Sequence, residues 1–168
     1  MKEIGGYFGL EQLVRNEYYE GLLALNTGRN CLYYLLKARN ISKIYIPFFL
    51  CDSISMMCSK NGYKFEYYNI DAQFMPTFSK RLADNEYLYV VNYYGQINED
   101  KIYALKKIYK NIIIDNTQAF FQKPVAGIDT IYSCRKFFGV PDGGYLSTDV
   151  RLDEEIEVDV SSGRMKHI

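Results

Sequence analysis

Short apolar runs recur along this chain, each closed by a turn and most followed by residues at helical spacing. Tyr87–Tyr93 carries no charge, and Asn111–Ile114 supplies Ile112-Ile113-Ile114 in succession. A strand with no polar face needs cover on both sides, which parallel sheets flanked by helices provide. Gly21–Leu25, Lys43–Phe49, Lys64–Ile70, Thr130–Ser133 and Tyr145–Thr148 read as further strands, bounded by Gly, Pro, Asn and Asp turns. Between them, Cys31-Leu32, Leu35-Leu36 and Ala38 repeat at helical spacing. Asp52 or Ser53 is placed to cap a helix over Ile54–Lys60, with Asn61-Gly62 ending it. Glu99–Tyr109 is amphipathic, with Ile102, Leu105, Ile108 and Tyr109 assigned to one face. Met1–Tyr19 reads as a loop leading into a helix from about Gly9, and Asp71–Asn85 as a polar connection with weak helical character. Strands separated by helices predict an α/β fold with an open, mostly parallel sheet. Its functional groups are expected at the carboxyl ends of the strands.

Composition removes several function classes. Twenty basic and twenty acidic residues cancel, so there is no electrostatic footprint for nucleic acid. No apolar run is long enough to span a membrane. His167 is the only histidine and no CxxC spacing occurs, which argues against a zinc site and against histidine-based catalysis. The four cysteines show no disulfide framework, and the expected compartment is the reducing cytoplasm. Seventeen tyrosines without a tryptophan suit half-buried strands and loop packing. At 168 residues the chain can bury the core of one domain.

Three places carry chemistry. Lys136 lies between the strand Thr130–Ser133 and the turn Pro141–Gly144, beside Phe137 and Phe138. If those rings wall it off from water, its neutral amine becomes available as a nucleophile toward a carbonyl. Ser133 and Arg135 beside it can hold an anion; the plainer reading is a basic turn with its charges in water. Asn26-Thr27-Gly28-Arg29-Asn30 leads from a strand into a helix, a place where free amides and the helix dipole favour an anion. It lacks the GxxxxGK[ST] spacing of a Walker loop, and an ordinary N-cap turn also fits it. Asp115 leaves the tip of the Ile112–Ile114 strand, where it could serve a metal, act as a base, pair with a protonated ring nitrogen, or cap a helix. No second acidic residue lies near it in sequence, so neither a two-carboxylate mechanism nor a magnesium site is supported.

Together, Asn26-Thr27-Gly28-Arg29, Val91-Asn92-Tyr93-Tyr94-Gly95-Gln96, Ile114-Asp115-Asn116-Thr117-Gln118-Ala119 and Ser133-Cys134-Arg135-Lys136 through Asp142-Gly143-Gly144 resemble fold-type I pyridoxal-phosphate enzymes. More narrowly, they resemble the sugar aminotransferases of the DegT/DnrJ/EryC1/StrS family. The resemblance implies the three-layer, mostly parallel, seven-stranded sheet of the aspartate aminotransferase-like large domain, with its last strand antiparallel. Residues 1–150 would form that domain, and 151–168 would begin a linker or helix toward a C-terminal small domain. It further implies that Lys136 binds the aldehyde of pyridoxal 5'-phosphate as a Schiff base and then moves protons. Asp115 would pair with the pyridinium nitrogen and Gln118 with the ring hydroxyl, while Thr27, Gly28, Arg29 and Ser133 hold the phosphate. A side chain of Phe48-Phe49-Leu50-Cys51 would cover the ring. The lysine separates the chain from the family's dehydratases, which have histidine there. The activity implied is amino transfer to a nucleotide-linked keto-sugar of surface-polysaccharide or related biosynthesis. The amino donor would be a compound such as glutamate and the assembly a homodimer. The alternative is a truncated, non-catalytic remnant of the fold that still binds cofactor or a partner.

Overall fold

The computed structural model describes residues 16–161 and 163–164. The helix expected from about Gly9, and most of the helix expected over 161–168, lie outside the described residues; at 16–22 the chain forms turns. The strands are β1 (Leu23–Leu25), β2 (Lys43–Pro47), β3 (Lys64–Ile70), β4 (Pro76–Thr77), β5 (Glu86–Val91), β6 (Ile112–Asp115), β7 (Asp129–Ser133) and β8 (Gly144–Ser147). The helices are α1 (Gly28–Ala38), α2 (Ser53–Lys60) and α3 (Glu99–Tyr109), and 3-10 turns form at Tyr93–Gly95 and Cys134–Lys136.

The strands make one eight-stranded sheet in the order β1-β8-β7-β6-β5-β2-β3-β4. The pairs β7–β6, β6–β5, β5–β2 and β2–β3 are parallel, while β8 lies antiparallel to both β7 and β1. The sheet is therefore mostly parallel with an antiparallel last strand, as expected, and carries one strand more than expected. That strand, β4, falls in the Asp71–Asn85 connection, which forms no helix. Asp71 instead takes the Gln73 and Met75 amides on Oδ1, at 2.8 and 2.9 Å, closing a tight turn. The turn returns Pro76–Thr77 antiparallel to β3.

Alternation along the strands divides the core into two layers. Ile44, Ile46, Tyr89, Val91, Ile113 and Ile131 pack with Cys31, Leu32, Leu35 and Leu36 of α1 and with Ile54, Met57 and Cys58 of α2. Tyr45, Leu88, Val90, Ile112 and Ile114 point the other way, toward Ile102 and Leu105 of α3 and toward Val125 and Ile128. Each fully buried Leu or Ile contributes about 1.5–3 kcal/mol of transfer free energy, so both faces are needed to hold the sheet. On α3, Ile108 is 70% exposed rather than buried with Ile102 and Leu105. At 100° per residue Tyr109 returns beneath Ile102, whereas Ile108 is rotated away from that face. Asp52 occupies the N-cap of α2 without a side-chain capping bond.

At the amino end of β7, Arg39 forms a two-bonded pair with the buried Asp129, Nε to Oδ2 at 2.5 Å and Nη2 to Oδ1 at 2.8 Å. Arg39 also pairs with Asp149, and Thr148 donates to Asp129 Oδ1 at 2.7 Å. The pair ties the end of α1 to β7 and to the exit of β8. Beyond β8 the chain runs back over α1, where Leu152 donates its amide to Tyr34 Oη at 2.9 Å and Lys37 pairs with Glu154.

Candidate functional site

At the carboxyl ends of β5, β6 and β7 lies a cleft of about 430 Å³. Its lining includes Thr27, Gly28, Arg29, Asp115, Gln118, Ser133 and Lys136, so every site residue expected from the sequence meets there. Register explains the convergence. Val91 pairs with Asp115 and Asp115 with Ile131, which brings the tips of three parallel strands to one level. The antiparallel pair Ser133–Gly144 then starts β8 at that same end.

The lysine turn and the α1 turn are joined by the Asp142-Gly143-Gly144 segment. The Gly143 amide donates to the Asn26 carbonyl at 2.6 Å, and the Gly143 carbonyl accepts from Cys134 N–H at 3.0 Å. Gly143 adopts φ +113°, a conformation open to glycine and strained for other residues. At Gly144 a Cβ would sit 2.8 Å from Thr27 C and 2.9 Å from Gly28 N, so only glycine allows β8 to pass this close to the helix start.

Thr27 caps α1: its Oγ1 accepts the Asn30 amide at 3.2 Å and its carbonyl accepts the Cys31 amide at 3.0 Å. The Gly28 and Arg29 amides remain at the open end of the helix, where the dipole favours negative charge. Charge agrees with this. Arg29, Arg135 and Lys136 line the cleft and Asp115 is its one acidic residue among the described residues, in a chain whose formal charge is zero. The cleft suits an anion that also carries a cationic ring nitrogen or amine for Asp115.

Asp115 is the most enclosed of these groups, at 3% exposure. Its Oδ2 accepts the Tyr89 hydroxyl at 2.7 Å and its Oδ1 accepts the Thr117 amide at 2.7 Å. Burial raises its pKa, opposed by the Tyr89 and Thr117 hydrogen bonds and by the charge of Lys136. The Thr117 bond closes a local Asx turn, and no helix follows, so the capping alternative takes that smaller form.

Lys136 is exposed, which corrects the expectation of a partly desolvated amine. Phe137 and Phe138 do not wall it. They turn away to pack on Phe120, with Phe138 and Phe120 edge to face at 4.9 Å, in a cluster with Tyr19, Tyr132 and Tyr145. Their apolar surface is satisfied at the sheet edge, so it leaves the lysine side open. On the opposite wall Leu50, Cys51, Ser53 and Ile54 line the cleft. Phe48 and Phe49 stand 70% and 58% exposed, Phe48 edge to face with Tyr67 and Phe49 tilted against Tyr93. Within the Phe48–Cys51 turn, the residues that reach the cleft are thus Leu50 and Cys51.

Asn92 does not line the cleft. Its Nδ2 bonds Asn116 Oδ1 at 3.0 Å and Gln122 Oε1 at 2.9 Å, and its Oδ1 accepts the Ile97 amide at 2.8 Å. This buried amide network ties the exit of β5 to the exit of β6 and sets the level of Asp115. Tyr89 and Val91 also line the cleft and were not anticipated. The available signal was the alternation of β5, which puts both on the face that carries α1.

No protein-family model and no curated protein matches the chain. Solved structures do. NtdA from Bacillus subtilis with bound cofactor PMP is similar at TM-score 0.62 and 18% identity, over 76% of this chain and 33% of that one. The histidinol-phosphate aminotransferase from Clostridium acetobutylicum is similar at 0.57 and 19%, over 77% and 45%. The sugar aminotransferase CalS13 from Micromonospora echinospora is similar at 0.55 and 14%, over 74% and 41%. The chain spans less than half the length of each of these proteins. The likeness establishes the fold, the three-layer α/β sheet that these proteins share.

Proposed function

We propose that the cleft binds pyridoxal 5'-phosphate and that the chain forms the cofactor-binding part of an aminotransferase. The observation that carries this reading is the meeting of an open helix N-terminus, a buried carboxylate and a lysine in one cleft. The residues fit the group. Gly28 and Arg29 amides with Arg29, Thr27 and Ser133 suit a phosphate, and the Asp115 oxygens keep free lone pairs beyond the Tyr89 and Thr117 bonds. When bound, the cofactor supplies the electron sink for removing a proton from a substrate carbon. The chain supplies the rest. Asp115 holds positive charge on the ring nitrogen, Gln118 bonds the ring hydroxyl, and Leu50 and Cys51 exclude water from the ring. Lys136 Nζ, the one lysine of the lining among the described residues, would hold the cofactor at its aldehyde carbon and carry the proton.

The finer reading is a keto-sugar substrate, nucleotide-linked, with an amino donor such as glutamate, acted on by a cytoplasmic homodimer. It rests on the motif resemblance and on the fold shared with CalS13. No described helix is long and apolar enough to cross a membrane.

The test is an absorption titration of the purified chain with pyridoxal phosphate, followed by borohydride. A protein-bound band that shifts on reduction, with cofactor mass fixed on the Lys136 peptide, is the expected outcome, and Lys136→Ala should abolish it. Absorbance of free cofactor alone would overturn the reading.

A further inference from the structure

Resting on the cofactor reading above, we propose that Tyr89 is the positioning residue of this cleft: its buried hydroxyl fixes Asp115 Oδ2 and keeps the carboxylate oriented and ionised toward the ring nitrogen. The pairing follows from register. Val91 lies opposite Asp115 and Tyr89 opposite Ile113, so Tyr89 is the diagonal neighbour of Asp115 on the same face. With a rise of about 3.3 Å per residue and strands about 4.8 Å apart, diagonal neighbours stand about 8 Å apart, too far for a short side chain and within reach of a phenol. The observed bond is 2.7 Å, and Tyr89 is 1% exposed. Burial pushes the phenol well above its ordinary range, so it stays protonated and donates. With Thr117 N–H on Oδ1 at 2.7 Å, two donors from two directions fix the plane of the carboxylate.

Four titratable groups face Asp115. Tyr89 comes from β5, Tyr93 from the turn after it, Cys31 from α1 and Lys136 from the turn after β7. Burial pushes Tyr93 and Cys31 upward and leaves both neutral. Lys136 is exposed, and Arg29 and Arg135 line the same cleft. The Tyr89 hydroxyl is thus, together with Thr117, a donor inside the fold that opposes the cost of burying the Asp115 charge. A hydrogen bond to a charged group is worth about ten- to hundredfold in proton affinity, or about one to two pH units.

The experiment uses the cofactor-free chain, so that it is independent of cofactor binding. Because the folded pKa of Asp115 is raised, its proton is held longer in the folded state. Stability therefore falls as pH rises from 3.8 through the folded value. In Tyr89→Phe this falling limb should extend about one to two pH units higher, measured by urea unfolding across pH. It should vanish when Asp115→Asn is added. A loss of equal size at every pH, or a limb that persists in the double variant, overturns the proposal. Should Tyr89→Phe not fold, p-aminophenylalanine in place of Tyr89 keeps the ring and a weaker donor. The carboxyl titration of carbon-13-labelled Asp115 should then move upward by less, and an unmoved titration overturns the proposal equally. A wild-type chain that shows this coupling but takes no pyridoxal phosphate would sink the cofactor reading and leave the coupling standing.

Discussion

Gly144 shows how narrowly the site is fitted at the scale of one residue. A methyl group there meets Thr27 and Gly28 backbone atoms, which have no side-chain freedom with which to move aside. Gly144→Ala should therefore cost at least about 1–3 kcal/mol, read from the urea midpoint, because the start of β8 must shift off α1. Asp115→Asn keeps the shape but loses the charge, and its single amide oxygen can accept from Tyr89 or from Thr117 N–H, not from both. It should leave covalent cofactor capture intact while suppressing transamination at least tenfold, measured by single turnover of the loaded chain. Residues such as Lys136, Asp115 and Gly28 stand out in the sequence through the motifs that hold them. Tyr89 does not, since a tyrosine in an apolar strand looks like packing until the neighbouring register is known. Phe137 and Phe138 mislead for the same reason: adjacency to the lysine in sequence says nothing about which way each ring turns.

Elements with one dominant period were legible, and α3 spans the Glu99–Tyr109 expected from its apolar spacing, with Asn98 capping it in the structure. What escaped depended on contacts distant in sequence. The two-residue β4 exists because Asp71 closes its own turn, in a stretch whose composition favours neither state. Asn92 belongs to one of the motifs that carry the resemblance, yet its amide works inside the loop network with Asn116, Gln122 and Ile97. Asn92→Ala strands those partners in the interior and should cost about 1–3 kcal/mol in chemical denaturation. The same change should loosen the level of Asp115 and weaken cofactor retention.

For the molecule as a whole, the Arg39–Asp149 pair shifts stability with pH in the opposite sense to the buried Asp115 carboxyl. Hydrogen bonding and charge from Arg39 hold Asp149 below its ordinary pKa of 3.8, so that contribution is present above 3.8 and is lost as pH falls through the lower folded value. Arg39→Met removes this acid-sensitive part and leaves buried Asp129 with Thr148 alone. It should cost about 3–5 kcal/mol at neutral pH, measured by thermal or urea unfolding. The order of the central strands was legible only as a class, because which parallel strand lies beside which is decided by packing on both faces. The antiparallel return of β8 carries a different consequence. Ser133 and Gly144 face each other across the ladder, so everything between them is the tip of a hairpin whose legs are already zipped. Lengthening or trimming that tip would carry the amine nearer to or farther from a carboxylate anchored on another strand, without renegotiating the sheet. The reach of the Lys136 amine is in this sense an adjustable dimension, set by a single loop.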